Sequence, residues 1–160
     1  AAGYTFDAAD ASFALMLREE IDGARPAYFQ MESWRASVNF SERIGGDGEC
    51  EATVKLHAGG ARIVQTGEGN GPVNALDHAL REALAGVYPE IETFELIDFR
   101  VRLLDTSHGT DAVTRVLIQT TDGAEVWSTV GVGPNILEAA YEALADALIY
   151  GLVKEGVEVR

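Results

Sequence analysis

Cysteines, long apolar runs and a leader segment are scarce or absent in this chain of 160 residues. The single cysteine, Cys50, cannot form an internal disulfide, which favours a reducing, cytoplasmic setting. No apolar run approaches the roughly 18–20 residues that cross a bilayer, and the N-terminus has no signal-peptide pattern, so we expect no membrane partner. An initiator methionine is also absent, which we interpret as a sign that the chain was cut from a longer one.

Basic residues are also few. The chain has 12 Lys and Arg against 26 Asp and Glu, a formal net charge of −14. This balance disfavours nucleic acid and anionic membranes as partners, and otherwise serves solubility. With 47% hydrophobic and 24% charged residues, the composition is that of a folded globular protein.

The periodicity of apolar residues predicts a helix first and then a pattern that occurs twice. The first helix covers about 7–21, with Asp7 as N-cap, an apolar stripe of Ala9, Phe13, Met16, Leu17 and Ile21, and a glycine at its end. Cys50 lies in an alternating run, which predicts a small core residue. The later segments are strands at 34–44, 50–57 and 61–66, a helix at 72–88, strands at 93–104, 111–120 and 125–130, and a helix from about 134.

An internal repeat underlies this pattern. A shift of 64 positions places Gly59 on Gly123, the run 67–69 on 131–133, and the helix alanines 75, 79 and 83 on 139, 143 and 147. Each copy reads strand–strand–strand–Gly-x-Gly–helix. We therefore predict an α+β fold of two pseudo-symmetric βββα units, with antiparallel sheets packed against helices.

The predicted organisation is a helical linker subdomain at 1–32 and a second domain at 33–160, with repeat units at 33–90 and 91–160. The small helix alanines permit close helix packing, which suits a homodimer, although alanine also simply favours helix.

No catalytic or metal-binding motif emerges. The chain has three histidines, none with His-x-His or His-Glu-x-x-His spacing, and its serines lack a nucleophile-elbow setting. We therefore expect neither catalysis nor a bound metal in this chain.

The glycine segments are the sharper signal. The run from Gly67 to Gly71 is predicted to be a loop leading into a helix that starts at Pro72, and 131–135 repeats it. Such a loop and helix N-terminus can face an anion, either a phosphate or the carboxylate of an amino acid, or can serve only as a tight turn. Glu68 and the spacing of the glycines disfavour a dinucleotide. Asp98 beside Phe99, on an alternating strand, offers an acceptor next to an apolar wall, or is part of an ordinary amphipathic strand.

Four motifs then resemble one family. They lie at 3–13 (GYTFDAADASF), 68–77 (EGNGPVNALD), 96–102 (LIDFRVR) and 127–136 (WSTVGVGPNI), and together they span nearly the whole chain. The chain resembles the C-terminal regulatory domain of the 2-isopropylmalate synthase / citramalate synthase family, nearest to the citramalate branch.

The resemblance implies a regulatory, dimeric domain of paired βββα units without a cofactor of its own. It implies an N-terminal TIM barrel elsewhere in the parent chain, which uses a divalent metal and acetyl-CoA. The implied effector is a branched-chain amino acid, isoleucine for the citramalate branch or leucine for the isopropylmalate branch.

The resemblance also assigns effector-binding positions, and Phe99 stands where the family usually has tyrosine. A chain that only dimerises is therefore an alternative. The assigned residues are Gly69, Asn70, Gly71, Pro72, Val73, Asn74, Leu96, Asp98, Phe99, Leu103, Ala112, Thr114 and Ile136.

Overall fold

The computed structural model describes residues 9–39, 49–104 and 113–160. The helices are α1 (Asp10–Asp22), α2 (Pro72–Ala85) and α3 (Ile136–Lys154), with a short 3-10 helix at Pro89–Thr93. The strands are β1 (Gln30–Asn39), β2 (Glu49–Ala58), β3 (Ala61–Gly69), β4 (Glu95–Leu103), β5 (Thr114–Thr121) and β6 (Val126–Gly133). Strands β1–β2–β3 form one antiparallel sheet and β4–β5–β6 form another. The predicted α+β fold of two βββα units is confirmed.

The chain divides into two compact units. The β1–β3 unit comprises the described residues in 27–92 together with 158–160, and the β4–β6 unit comprises those in 9–26 and 93–157. The division at residue 32 between a linker subdomain and a second domain stays a prediction.

Each unit has its own apolar core between its sheet and its helix. In the β1–β3 unit, Leu76, Leu80 and Leu84 of α2 are fully buried and lie on one face of the helix. The side chain of Cys50 is also buried, as predicted. In the β4–β6 unit the largest fully buried side chains are Leu15, Ile118, Trp127, Leu144, Leu148 and Leu152.

The helix and the sheet approach each other unusually closely at two equivalent points. A Cβ atom built on Gly131 would overlap the backbone oxygen of Ala139 and lie 2.8 Å from the amide nitrogen of Ala143. A Cβ on Gly67 would likewise overlap the backbone of Ala79 and lie 2.9 Å from the carbonyl oxygen of Ala75. These residues are the ones that the repeat superposes, so the repeat reflects one packing motif used twice.

This packing corrects the prediction that the glycine runs are loops. Gly67, Glu68 and Gly69 lie in β3, where they pair with Ala52, Glu51 and Cys50, and 131–133 lie in β6. A glycine in a strand often marks a close backbone approach rather than a turn. Only Asn70 and Gly71 connect β3 to α2.

Helix α1 differs from its prediction in the face that it buries. Its buried residues are Ala11, Ser12 and Leu15, whereas the large members of the predicted stripe are 41–81% exposed. Ala9 is the N-cap residue, and Asp7, the predicted N-cap, lies outside the described residues. The helix ends as predicted at Gly23, which has a positive φ of 79°.

The close approach makes a prediction about stability. We expect Gly131→Ala to lower the free energy of unfolding by about 1–3 kcal/mol or more, because the added methyl group meets helix backbone that cannot move aside. Gly86→Ala is the matched control, since nothing lies within 4 Å of its Cβ position. Urea denaturation measures both variants, and equal midpoints for Gly131→Ala and wild type would contradict the packing account.

Candidate functional site

The N-terminus of α2 carries the first group of predicted effector residues. Gly71 is the N-cap, and it offers no side chain to accept a hydrogen bond from the helix. Pro72 has no amide hydrogen, so Val73 and Asn74 hold the first amide N–H groups of the helix. Neither amide is capped by the N-cap side chain. An anion at this position would meet both N–H groups and the positive end of the helix dipole.

Helix α3 begins at the equivalent place in the repeat but is closed. Its N-cap is Asn135, which corresponds to Gly71, and the Asn135 side-chain oxygen accepts a hydrogen bond from the Glu138 amide at 3.0 Å. The two helix starts are therefore not equivalent, and only the one at α2 lacks a side-chain cap. The sequence-based prediction described the glycine segments before α2 and α3 in the same terms.

The second group of predicted residues lies on the sheet of the β4–β6 unit. Trp127 Nε1 donates to the Ala147 carbonyl at 3.0 Å, and Thr129 Oγ1 donates to the Ala143 carbonyl at 2.7 Å, so this face of β6 points toward α3. The strand register then places four predicted residues on the same face, namely Leu96, Phe99, Leu103 and Thr114.

Burial differs among the residues of this group. Thr114 is 5% exposed, whereas Leu103 is 59% exposed. Leu96 and Phe99 are half-buried. Ile136 is the first residue of α3 and is 39% exposed. Ala112 lies outside the described residues.

Asp98 is placed differently from its neighbours. A register shift between Leu96 and Asp98 pairs Asp98 with Gln119, on the face away from α3. Its carboxylate accepts hydrogen bonds from the Phe99 amide at 3.0 Å and from Arg100 Nε at 2.9 Å. The carboxylate oxygens are thus already engaged by groups of the same strand, and an ammonium ligand would have to share them.

Each sheet carries an apolar strip on one outer strand. Sequence reasoning missed the strip on β1, whereas three of the four residues of the strip on β4 are among the predicted effector residues. Helix α2 packs mainly on β2 and β3, and α3 packs mainly on β5 and β6, so β1 and β4 are left partly uncovered on the helix side of their sheets. Val38, Val101 and Leu103 are 47%, 43% and 59% exposed. We define the β1 strip as Met31, Trp34, Ala36 and Val38, and the β4 strip as Leu96, Phe99, Val101 and Leu103.

The described part of the chain has neither a cluster of metal-binding side chains nor a helix that could span a membrane. Residues 9–39, 49–104 and 113–160 contain no group of three or more His, Cys, Asp or Glu side chains that could hold a metal ion. Among the same residues, no helix has both the length and the hydropathy that a membrane span requires.

Comparison with known proteins gives the family. A sequence profile described as the LeuA allosteric (dimerisation) domain matches residues 7–152. This chain belongs to that family.

The relatives of this LeuA domain are named as synthases. The chain is 54% identical to an (R)-citramalate synthase of Streptomyces coelicolor over 98% of its own length, and 43% identical to one of Synechocystis over 94%. It is 31% identical to a 2-isopropylmalate synthase of Aquifex aeolicus over 74%. It spans only 29%, 28% and 21% of the lengths of these relatives. The resemblance seen in the four motifs, including its citramalate branch, is confirmed.

The asymmetry of the two helix starts is testable. We expect Asn135→Ala to lower the free energy of unfolding by about 1 kcal/mol, because the Glu138 amide loses its acceptor. Asn135→Ser keeps an acceptor and should keep the stability, whereas Gly71→Asn supplies a missing acceptor and should add a few tenths of a kcal/mol. Chemical denaturation measures the free energy of unfolding of all three variants. A neutral Asn135→Ala variant would show that α3 is not held by this cap.

Proposed function

We propose that this chain is the isoleucine-binding regulatory and dimerisation domain of an (R)-citramalate synthase. The observation that carries the proposal is the similarity to citramalate synthases along almost the whole chain. The parent enzyme would condense acetyl-CoA with pyruvate in the cytoplasm, on an N-terminal TIM barrel that uses a divalent metal. Inhibition would arise because isoleucine binds one conformation of the enzyme better than another.

The proposal gives the α2 N-terminus the task of holding the effector carboxylate. The amides of Val73 and Asn74 donate no hydrogen bond to an N-cap side chain, and the space at the Cβ position of Gly71 is open. Because the protein carries a net charge of −14, its overall field does not attract anions, and recognition depends on these local N–H groups.

The apolar residues that the resemblance assigns on β4, Leu96, Phe99 and Leu103, stay a prediction for contact with the aliphatic side chain of the effector. Burial of a branched four-carbon side chain contributes about 2–3 kcal/mol. Isoleucine and leucine differ only in branching, so the shape of the pocket separates them by about 1–3 kcal/mol.

The two apolar strips support a homodimer. A strip of half-exposed Val, Leu and Phe side chains beside a helix is a surface that a further layer normally covers. We propose a second copy of the chain as that cover, in a twofold-symmetric assembly. The family description, an allosteric and dimerisation domain, agrees with this assignment.

The effector assignment predicts the outcome of a calorimetric titration. Isoleucine should bind saturably and more tightly than leucine or valine. Tighter binding of leucine would move the proposal to the 2-isopropylmalate branch, to which one relative belongs. No binding of any of the three would leave a domain that only dimerises, and would overturn the sensor assignment.

The position of the effector site is tested with a pair of arginine variants. Nothing lies within 4 Å of the Cβ positions of Gly71 and Gly86, and neither has a positive φ, so both accept Gly→Arg without strain. Gly71→Arg should abolish isoleucine binding, and feedback inhibition in the parent enzyme, while leaving the fold and catalysis intact. Gly86→Arg puts the same side chain beyond the other end of α2, and this variant should bind isoleucine as wild type does. Normal binding by Gly71→Arg would refute the loop assignment.

The dimer assignment is tested with a pair of glutamate variants. Val101 in the β4 strip is 43% exposed, and Val126 on the opposite sheet face is 54% exposed. Sedimentation velocity should show a dimer for wild type and for Val126→Glu, and a monomer for Val101→Glu, because an interface cannot bury an unpaired carboxylate cheaply. A monomeric wild type, or a dimeric Val101→Glu, would contradict the assignment.

A further inference from the structure

Among the described residues, strand β6 is an outer strand of its sheet, and side chains accept hydrogen bonds from three amides on its free edge. The Ser128 amide donates to Asp10 Oδ1 at 3.0 Å, the Val130 amide donates to Ser12 Oγ at 3.0 Å, and the Val132 amide donates to Glu142 Oε2 at 3.2 Å. Unpaired strand edges are normally covered in this or a similar way. Two of these acceptors belong to α1, and the third belongs to α3.

The second acceptor, Ser12 Oγ, is also hydrogen-bonded to a buried carboxylate. Ser12 Oγ, which accepts from the Val130 amide, donates to Asp146 Oδ2 at 3.0 Å. The other oxygen of Asp146 accepts from Arg25 Nη1 at 2.5 Å. Arg25 lies three residues after the end of α1, and its Nε also donates to Glu19 of that helix at 2.8 Å.

Both of these partners of Asp146 thus belong to the α1 segment, whereas Asp146 itself lies on α3. Its side chain is only 5% exposed. Burial raises the pKa of the Asp146 carboxyl group, the nearby Glu142 raises it further, and the charge of Arg25 and the hydrogen bonds from Ser12 and Arg25 lower it. A buried carboxylate that loses such partners is strongly destabilising where it stays buried.

Apolar burial in α1 is confined to a narrow face around Leu15. Only Ala11, Ser12 and Leu15 are buried, and Met16, Leu17 and Ile21 are 53%, 47% and 81% exposed. Segments with few buried apolar contacts open at low free-energy cost. The attachment therefore depends on Leu15 together with the polar set around Asp146 and the β6 edge.

We propose that α1 and the turn through Arg25 form a clasp that opens and closes as one piece on the β4–β6 unit, with Asp146 as its latch. When the clasp opens, Asp146 reaches water, and the edge amides of Ser128 and Val130 lose their acceptors. The Val132 amide keeps its acceptor, because Glu142 belongs to α3. The inference does not rest on the proposed effector.

The test is amide hydrogen exchange of the full chain, resolved by NMR. In Arg25→Met, the amides of Ser128 and Val130 and those of α1 should exchange at least tenfold faster than in wild type, whereas the Val132 amide and the α3 amides should not change. Arg18→Met is the matched control, because Arg18 lies on the exposed side of the same helix, 4.0 Å from Asp22. The amides of the Arg18→Met variant should exchange at the wild-type rates.

A double variant isolates the latch. Arg25→Met/Asp146→Leu removes the buried charge together with its partner, and should return Ser128 and Val130 toward the wild-type exchange rates. Three results would overturn the proposal: unchanged exchange in Arg25→Met, a parallel acceleration at Val132 and in α3, or exchange in the double variant as fast as in Arg25→Met. The second would show a general loss of stability and no clasp.

Discussion

The close contact between a strand glycine and two helix alanines is the constraint on which the rest of each unit depends. At Gly131, and again at Gly67, the strand backbone lies against the helix backbone with no room for a Cβ atom. Such contact brings the helix down onto two strands of the sheet and holds it there. The hydrogen bonds from Trp127 and Thr129 to carbonyl groups of α3 reach their acceptors because of that proximity.

This geometry also creates the surfaces to which we assign function. A helix held close over two strands cannot cover a third, so β1 and β4 keep apolar side chains exposed on the helix side. The same packing leaves only two residues, Asn70 and Gly71, to connect β3 with α2. The strips that we propose as the dimer interface are thus a consequence of the packing. The uncapped helix start that we propose as the carboxylate site comes instead from Gly71, since Asn135 caps the equivalent start of α3.

The order and type of the elements were predictable because they depend on local periodicity, and the repeat was predictable because glycines and alanines recur at one spacing. The glycines of β3 and β6 were assigned to loops, since a sequence does not distinguish a glycine that turns the chain from one that lets a helix pack closely on a strand. The difference between Gly71 and Asn135 was visible as a substitution, but its meaning required the cap geometry. The prediction of the buried face of α1 was wrong, because the partners of that face, such as Asp146, are more than a hundred residues away along the chain.

A crystal structure of this chain grown with isoleucine tests the central claim most directly. The account predicts a twofold dimer in which the β1 and β4 strips are covered, with isoleucine bound and its carboxylate within hydrogen-bond distance of the Val73 and Asn74 amides. A dimer that leaves both strips exposed, or isoleucine bound away from the start of α2, would contradict it.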